Sequence, residues 1–219
     1  MALVGSMLAL LRTLLPARAA SWPDWQLAAP LQNAGRGDLL YPSWFAGQWL
    51  LHSDGHSATV RFGQRADGAV VGDRAFNADS IGRAVLGDVL LGVEQDPANP
   101  NRQLARLRGD QLLESTVVAR RSETTAGSLW TDELALQVVH NREGAPRVSR
   151  VETLSRYQAD ATGRISGDQW QATYPSPAEG LVATPLRTAH WQLTLEPDGE
   201  PGAGAVRPEP VRPPADPAS

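Results

Sequence analysis

Hydrophobic and polar residues alternate in short stretches over residues 39–195, and glycine, aspartate and asparagine separate the stretches. In the stretch LLESTVVAR, the alternation places Val117 and Ala119 on one face of a strand and Arg120 on the other. Similar stretches recur downstream, and about ten strands can be counted from Phe45 onward. The pattern therefore predicts an all-β fold.

One stretch, LWTDELALQVV, allows two interpretations. Trp130, Leu134 and Val138 share the spacing that one face of a helix would have. Their alternation with Thr131 and Glu133 also fits a strand with period two. Because the neighbouring stretches are all strand-like, we favour the strand.

The connections between the stretches carry the residues of tight turns, in SDGH, RADG, DPANPN, RGD and ADATG. Only NADSIGRAVLG predicts a helix, which Asp79 or Ser80 would cap and which would end at Gly87. Strands joined by hairpins form antiparallel sheets, and closing such a sheet hides its edges. We therefore expect an antiparallel β-barrel of about eight to ten strands with one short helix.

Both ends of the chain differ from this middle part. The first 21 residues, MALVGSMLALLRTLLPARAAS, combine an apolar run, a proline and small residues spaced as in a signal-peptidase site. They predict a signal peptide over residues 1–19, although an amphipathic helix would also fit. Residues 196–219 are rich in proline and poor in apolar side chains, which predicts a disordered tail. The barrel domain is expected over residues 39–195.

The composition excludes several classes of protein. The chain has no cysteine, which removes disulfides, thiolate metal sites and thiol catalysis. All 20 basic residues are arginine, and 24 acidic residues give a net charge of −4. A nucleic-acid surface needs clustered positive charge, so no nucleic-acid partner is expected.

No catalytic motif stands out in the sequence. It has no Gly-x-Ser-x-Gly elbow, phosphate-binding loop or dinucleotide fingerprint. Glu133 and Glu152 are expected to form cross-strand ion pairs with Arg120, Arg150 or Arg156 rather than an acid–base dyad. The sequence therefore predicts no catalytic residues, and we expect a protein that is not an enzyme.

The four histidines do not predict a metal site. His52 and His56 flank a predicted two-residue turn, which would direct their side chains to opposite faces of the hairpin. His140 and His190 lack cysteine or closely spaced acidic companions. The tripeptide Arg-Gly-Asp at 36–38 fits an ordinary turn. Neither a metal nor a cofactor is predicted.

The stretch YPSWFAGQW contains Gly47-x-Trp49 just before the first long strand, and this resembles the opening of lipocalin-like (calycin) barrels. The resemblance implies that Gly47 lets the chain turn into the strand and that Trp49 closes the base of the barrel. In that family an arginine from near the last strand lies across the tryptophan. Arg187, at the start of the last predicted strand, is the candidate for that role.

The stretches YPSWFAGQW, GDRAFNADSI, VEQDPANPNRQ and RVETLSRYQ resemble an uncharacterised family of cyanobacterial and plant-chloroplast proteins. Such proteins are regarded as residents of the thylakoid lumen or the periplasm, which agrees with the signal-like start. The resemblance implies a compartment and no activity. After processing, no stable transmembrane segment is expected.

Barrels of this size can enclose a small apolar ligand. We therefore predict a non-enzymatic, lipocalin-like protein that binds a small hydrophobic molecule, such as a pigment, a lipid or a quinone. The candidate ligand-binding residues are four wall aromatics and two possible anchors for an acidic group: Trp130, Tyr157, Trp170, Trp191, Arg120 and Arg156. The alternative is a filled barrel that acts as an interaction or assembly factor of the photosynthetic membrane. An enzyme of pigment or lipid modification is a third hypothesis, without a motif to support it.

Overall fold

The computed structural model describes residues 21–23, 30–180 and 184–199. The predicted signal peptide and most of the predicted tail lie outside these residues. In the described part, twelve strands and one α-helix follow one another. The strands are β1 (Gln32–Asn33), β2 (Leu40–Tyr41), β3 (Gly47–Ser53), β4 (His56–Gln64), β5 (Val70–Gly72), β6 (Leu90–Asp96), β7 (Asn99–Leu107), β8 (Gln111–Thr125), β9 (Ser128–His140), β10 (Arg147–Ala159), β11 (Ile165–Tyr174) and β12 (Arg187–Pro197).

The helix α1 spans Arg74–Leu86, and three short 3-10 helices lie at Ser43–Phe45, Gly87–Val89 and Pro177–Glu179. None of the described helices has the length and apolar character that crossing a membrane requires. The last strand continues to Pro197, which is two residues into the predicted tail.

Eleven of the strands lie side by side in one strongly curled antiparallel sheet, in the order β2-β5-β4-β3-β12-β11-β10-β9-β8-β7-β6. The prediction of an all-β, barrel-like antiparallel fold with one short helix is confirmed. The five predicted turn segments each connect two consecutive strands of this sheet. The stretch that also allowed a helix is strand β9.

Two elements connect the ends of the curled sheet. Helix α1 packs against β4 near one end and against β6 at the other. The segment from Gln32 to Tyr41, which we call the strap, begins as β1 against β8 and ends as β2 against β5. The strap and the helix therefore cover the opening that the sheet itself leaves.

Helix α1 ends where the sequence predicts and begins earlier. Gly87 follows the last turn with φ 55°, a left-handed conformation that favours glycine. The N-cap is Asp73, whose side chain accepts a hydrogen bond from the Phe76 amide at 3.3 Å. The predicted caps Asp79 and Ser80 lie inside the helix, which is a correction. The start was missed because the first turn buries polar Arg74 rather than apolar residues.

A β-bulge in β8 changes which side chains face the interior. The register against β9 shifts between Val117 and Ala119, so that one extra residue, Val118, is accommodated. Beyond the shift, Arg120 lies opposite Glu133 on the same face as Val117. The expectation that Arg120 lies on the face opposite Val117 is therefore wrong, because it assumed unbroken alternation.

The interior of the curled sheet contains two apolar clusters. The larger one is built around aromatic residues that include Phe45, Trp49 and Tyr157. The smaller one includes Leu90 and Leu113 and extends to the end of helix α1. Between the two clusters, the inner face of the sheet is polar.

Candidate functional site

The six predicted ligand-binding residues are divided between the two faces of the sheet. Tyr157 and Trp191 are buried in the larger apolar cluster. Arg120 lies opposite the buried Glu133 on this inner face. The other three, Trp130, Trp170 and Arg156, lie on the outer face. The expectation of one shared cavity wall is therefore corrected.

The reason for this division is strand alternation. Trp130 pairs with Arg156, whereas the preceding residue, Leu129, pairs with Tyr157. Successive side chains of a strand point to opposite faces, so the two pairs lie on opposite sides of the sheet. The prediction grouped these residues because they are aromatic. Their positions along the alternating strands place some of them on the inner face and the others on the outer face.

The larger apolar cluster is filled by aromatic rings. The ring centroid of Phe45 lies 5.0 Å from that of Tyr41, 4.9 Å from that of Phe62 and 5.5 Å from that of Tyr157. The Trp49 indole is 6% exposed and donates a hydrogen bond to the Phe45 carbonyl at 2.7 Å. Rings at these distances leave no room for a guest among them.

The three residues predicted to close the barrel are not assembled together. Gly47 has φ 122°, which L side chains rarely adopt, and Trp49 is buried as the resemblance implies. Arg187, however, pairs with Thr173 at the start of β12, whereas Trp49 lies opposite Pro197 at the other end of that strand. Arg187 therefore does not lie across Trp49, and this part of the expectation is corrected.

A small cavity lies on the inner face where helix α1 meets the β3–β4 hairpin. Its volume is about 20 Å³, which is room for about one water molecule. Its apolar lining residues are Leu51, Ala58, Ile81, Ala84, Val85, Trp191 and Leu193. We call this cavity the helix pocket.

The helix pocket also has polar lining. Ser53 Oγ and Gln169 Oε1 are buried and have no hydrogen-bond partner in the part of the chain that the structure describes. His56 Nδ1 donates a hydrogen bond to the Ala84 carbonyl at 2.9 Å, which ties the hairpin to the helix. Buried oxygens without partners are costly, so a water or a ligand group that donates a hydrogen bond would be stabilised there.

Gln169 also belongs to a belt of polar side chains that continues across the inner face. The belt consists of two neighbouring cross-strand rows, Glu133, Thr153 and Gln171 and then Thr131, Ser155 and Gln169. All six residues are at most 3% exposed. The Thr131 hydroxyl and one Glu133 oxygen have no hydrogen-bond partner among the described residues. This belt was not predicted from the sequence, although the polar residues in the inward phase of β9 are a signal for it.

Arg120 and Glu133 form the centre of the polar network. Arg120 donates from Nε to Glu133 Oε1 at 2.5 Å, from Nη1 to the Gly37 carbonyl at 2.9 Å and from Nη2 to Asn101 Oδ1 at 2.8 Å. Asn101 donates to the carbonyls of Gly35 and Gly37 at 3.1 and 3.0 Å. The predicted turn at 36–38 is therefore part of the strap, which the network holds in place. The predicted ion pair between Arg120 and Glu133 is present.

A second arginine, Arg74 at the start of α1, is buried beside this network. It donates from Nε to Asp38 Oδ1 at 3.0 Å, and its Nη1 has no hydrogen-bond partner within residues 21–23, 30–180 and 184–199. Burial lowers the pKa of Arg74, and the negative charge of Glu133 opposes that effect. The two arginines and two carboxylates balance in charge, so the network presents no net charge to the interior.

The outer face carries a separate chain of ring and charge contacts, which we call the outer ladder. Arg156 lies 5.5 Å from the Trp130 ring and donates to Asp168 Oδ2 at 2.8 Å. His190 Nε2 donates to Asp168 Oδ1 at 3.1 Å, and the His190 ring stacks on Trp170 at 4.6 Å. The three outward-facing predicted residues are thus brought together, and Asp168 and His190 connect them.

Farther along β9 on the outer face, Asp132 is fully buried beside Arg121. Arg121 donates to Asp132 Oδ2 from Nε at 2.9 Å and from Nη2 at 2.7 Å. Burial, and then the negative charge of Glu152, raise the pKa of Asp132 to about 6. Glu152 accepts a hydrogen bond from the Tyr174 hydroxyl at 2.9 Å instead of forming the predicted pair with an arginine.

The two faces do not bring together the groups of a metal site. In the described part of the chain, no cluster of three or more histidine, aspartate or glutamate side chains could hold a metal ion. His52 and His56 lie opposite Ser57 and Ser53 in the hairpin, which is the predicted register. The geometry offers a mainly apolar pocket with two buried oxygens on its wall, and an outer surface with ring and charge contacts.

These features define an all-β, barrel-like protein with a small pocket on the inner face of its sheet and a ladder of ring and charge contacts on the outer face. The family model of a domain of unknown function, DUF6816, matches residues 56–202, and the chain belongs to that family. No curated protein and no solved structure matched the chain.

Proposed function

We propose that this protein is a non-enzymatic, lipocalin-like binding protein that holds a small, mainly hydrophobic molecule in the helix pocket. The observation that carries the proposal is the pair of buried oxygens, on Ser53 and Gln169, which line a mainly apolar pocket and have no hydrogen-bond partner among the described residues. Ligand pockets commonly combine apolar walls with a few polar groups that orient the ligand.

The two oxygens indicate what the ligand would carry. Gln169 Oε1 only accepts hydrogen bonds, so a hydroxyl or N–H group at the end of an apolar body fits it best. A lipid, a pigment or a reduced quinone with such a group belongs to this class. Because the pocket has a volume of about 20 Å³, a ligand of that size requires helix α1 to move outward. The bond between His56 and the Ala84 carbonyl would open in that movement.

The compartment is part of the proposal. We place the protein in the periplasm or the thylakoid lumen, on the basis of the signal-like start and the resemblance described above. In either compartment the protein would face a membrane that contains hydrophobic pigments, lipids or quinones.

The experiment is a titration of the purified protein with dodecanol, palmitic acid, a short-chain plastoquinol and the matching plastoquinone. Tryptophan fluorescence reports binding because Trp191 lines the pocket. We expect at least one probe with a donor group to bind, and we expect Gln169→Met to weaken it about tenfold. Gln95→Met, which changes an exposed glutamine on β6, is the matched control. If no probe binds, or if Gln169→Met leaves the affinity unchanged, the proposed site is wrong.

A second candidate function is the interaction or assembly factor, because aromatic rings fill the larger apolar cluster and Trp130 and Trp170 lie on the outer face. Tryptophan and arginine are enriched at the centres of protein interfaces. Native mass spectrometry of protein purified from its own host separates the two candidates. A small-molecule adduct that organic solvent removes supports the ligand binder, whereas a stoichiometric protein complex without an adduct supports the interaction factor.

A further inference from the structure

The outer face of β10, β11 and β12 contains a groove with a volume of about 350 Å³. This is within the range of sites for small molecules. Its lining residues are Arg156, Gln158, Ser166, Gly167, Asp168, Gln192, Leu193 and Thr194. We call it the outer groove, and it lies at the Arg156–Asp168 step of the outer ladder.

Four of the lining residues offer neutral hydrogen-bonding groups. Gln158, Ser166 and Thr194 lie opposite one another across the three strands, and Gln192 lies in the neighbouring row. Their side chains make no hydrogen bond to any other residue that the structure describes. Two amides and two hydroxyls are therefore available together in one concave surface.

The charges in the outer groove are already compensated. Arg156 donates to Asp168, and the other oxygen of Asp168 accepts a hydrogen bond from His190. An anionic ligand would have to approach the carboxylate, and a cationic ligand would have to approach the guanidinium. A neutral ligand avoids the repulsion between like charges in both cases.

The backbone of the outer groove is not available to a peptide. β10 and β11 each pair with a strand on both sides, and β12 pairs with β11 along most of its length. A peptide could therefore not add to the sheet as a further strand at this place. Recognition has to come from side-chain amides and hydroxyls.

We propose that the outer groove is a binding site for a neutral, polyhydroxylated molecule of the saccharide class. Each hydroxyl of such a ligand both donates and accepts a hydrogen bond, as do the serine and threonine hydroxyls and the glutamine amides of the groove. The N–H groups of Arg156 that do not reach Asp168 supply further donors. The site lies on the opposite face of the sheet from the helix pocket and is independent of the proposed function.

The test is a titration followed by two-dimensional NMR of the 15N-labelled protein. The probes are maltotriose, cellotriose and trehalose, and trigalacturonate is the charged comparison. We expect at least one neutral saccharide to shift the backbone amides of residues 156–158, 166–168 and 192–194. The double variant Gln158→Ala and Gln192→Ala should weaken that binding about tenfold or more. Gln95→Ala on β6 is the matched control and should leave it unchanged.

A second variant, Ser166→Tyr, places a large side chain in the groove, and it should also abolish the shifts while the rest of the spectrum stays that of the folded protein. The proposal is overturned if no neutral saccharide shifts these amides, or if trigalacturonate binds more tightly than every neutral probe. It is also overturned if the shifts fall on residues of the helix pocket. Failure here leaves the hydrophobic-probe titration unaffected, because that experiment reports on the other face.

Discussion

Two ion pairs lie back to back on β8 and β9. Arg120 pairs with Glu133 on the inner face, and the next residues, Arg121 and Asp132, pair on the outer face. Both carboxylates are buried, with side chains that are 0% and 1% exposed. The same two kinds of residue, at adjacent positions on the same strands, therefore sit in two different environments.

The difference lies in the groups that surround each pair. Arg120 shares its donors among Glu133, the strap and Asn101. Both Arg121 bonds described above end on one oxygen of Asp132. Asp132 and Glu133 each keep their other oxygen without a hydrogen-bond partner among the described residues. Equal burial therefore does not give equal stabilisation, because Asp132 also faces the like charge of Glu152, which raises its pKa, whereas the arginine of the inner pair donates further hydrogen bonds to the strap and to Asn101.

The largest expected effect comes from breaking the inner pair. Glu133→Leu leaves Arg120 buried without its carboxylate and should lower the free energy of unfolding by about 3–5 kcal/mol. Urea unfolding followed by circular dichroism measures it. The double variant Arg120→Met and Glu133→Leu is the control, and it should lose clearly less than the single variant. Equal losses in the two would show that the charge left behind is not the cause.

The outer pair should make the free energy of unfolding depend on pH. The pKa of Asp132 is about 6, against 3.8 ordinarily, so the folded protein keeps a proton that the unfolded chain releases. This group's contribution to stability is therefore present below about pH 4 and is lost as the pH rises through about 6. The loss amounts to roughly 3 kcal/mol.

Asp132→Asn cannot ionise, so it should lack this pH dependence. Urea unfolding of both proteins between pH 4 and pH 7 gives the difference between their free energies of unfolding. We expect wild type to lose stability relative to the variant as the pH rises. A difference that grows in favour of wild type over the same range would mean that attraction to Arg121 outweighs burial.

A smaller effect should follow from weakening the support of the inner pair. Asn101 is 1% exposed, accepts from Arg120 and donates twice to the strap. Asn101→Ala should cost about 1–3 kcal/mol. It should also speed hydrogen exchange of the Ala34 amide, which donates to the Val118 carbonyl at 3.1 Å. Unchanged exchange at Ala34 would show that the strap is held without Asn101.

The smallest effect is expected from the Arg156–Asp168 pair of the outer ladder. The Arg156 side chain is 35% exposed, so solvent screens its charge. Arg156→Met should lower the free energy of unfolding by about 0.5 kcal/mol or less. A loss as large as that of Glu133→Leu would erase the distinction between the buried inner pair and a solvated outer one.

The general architecture could be predicted from the sequence because it depends on local signals. Alternation marks the strands, and Asp54-Gly55 sits in a turn with φ 48° and 76°, as that dipeptide predicts. Gly87 ends the helix for the same local reason. These features need only a few neighbouring residues to be recognised.

The candidate site was predicted less well, because it depends on which face of the sheet each side chain occupies and on partners that are distant in the sequence. One extra residue at Val118 reverses the face of everything that follows it on β8, including Arg120. Arg74 and Asn101 are polar residues whose burial makes sense only beside the strap and Glu133. The residues next to Arg74 and Asn101 in the sequence give no sign that these two side chains are buried. The polar belt is different, because polar residues at inward-facing positions of β9 indicate it.

The bulge at Val118 also has a consequence for comparing this chain with its relatives. Removing this one residue would restore regular pairing and would keep Arg120 opposite Glu133, because the register on either side of it is already continuous. A relative that is one residue shorter here could therefore contain the same inner ion pair. An alignment should place its gap at Val118, and the matching arginine should be found by counting back across the hairpin from the acidic residue on β9.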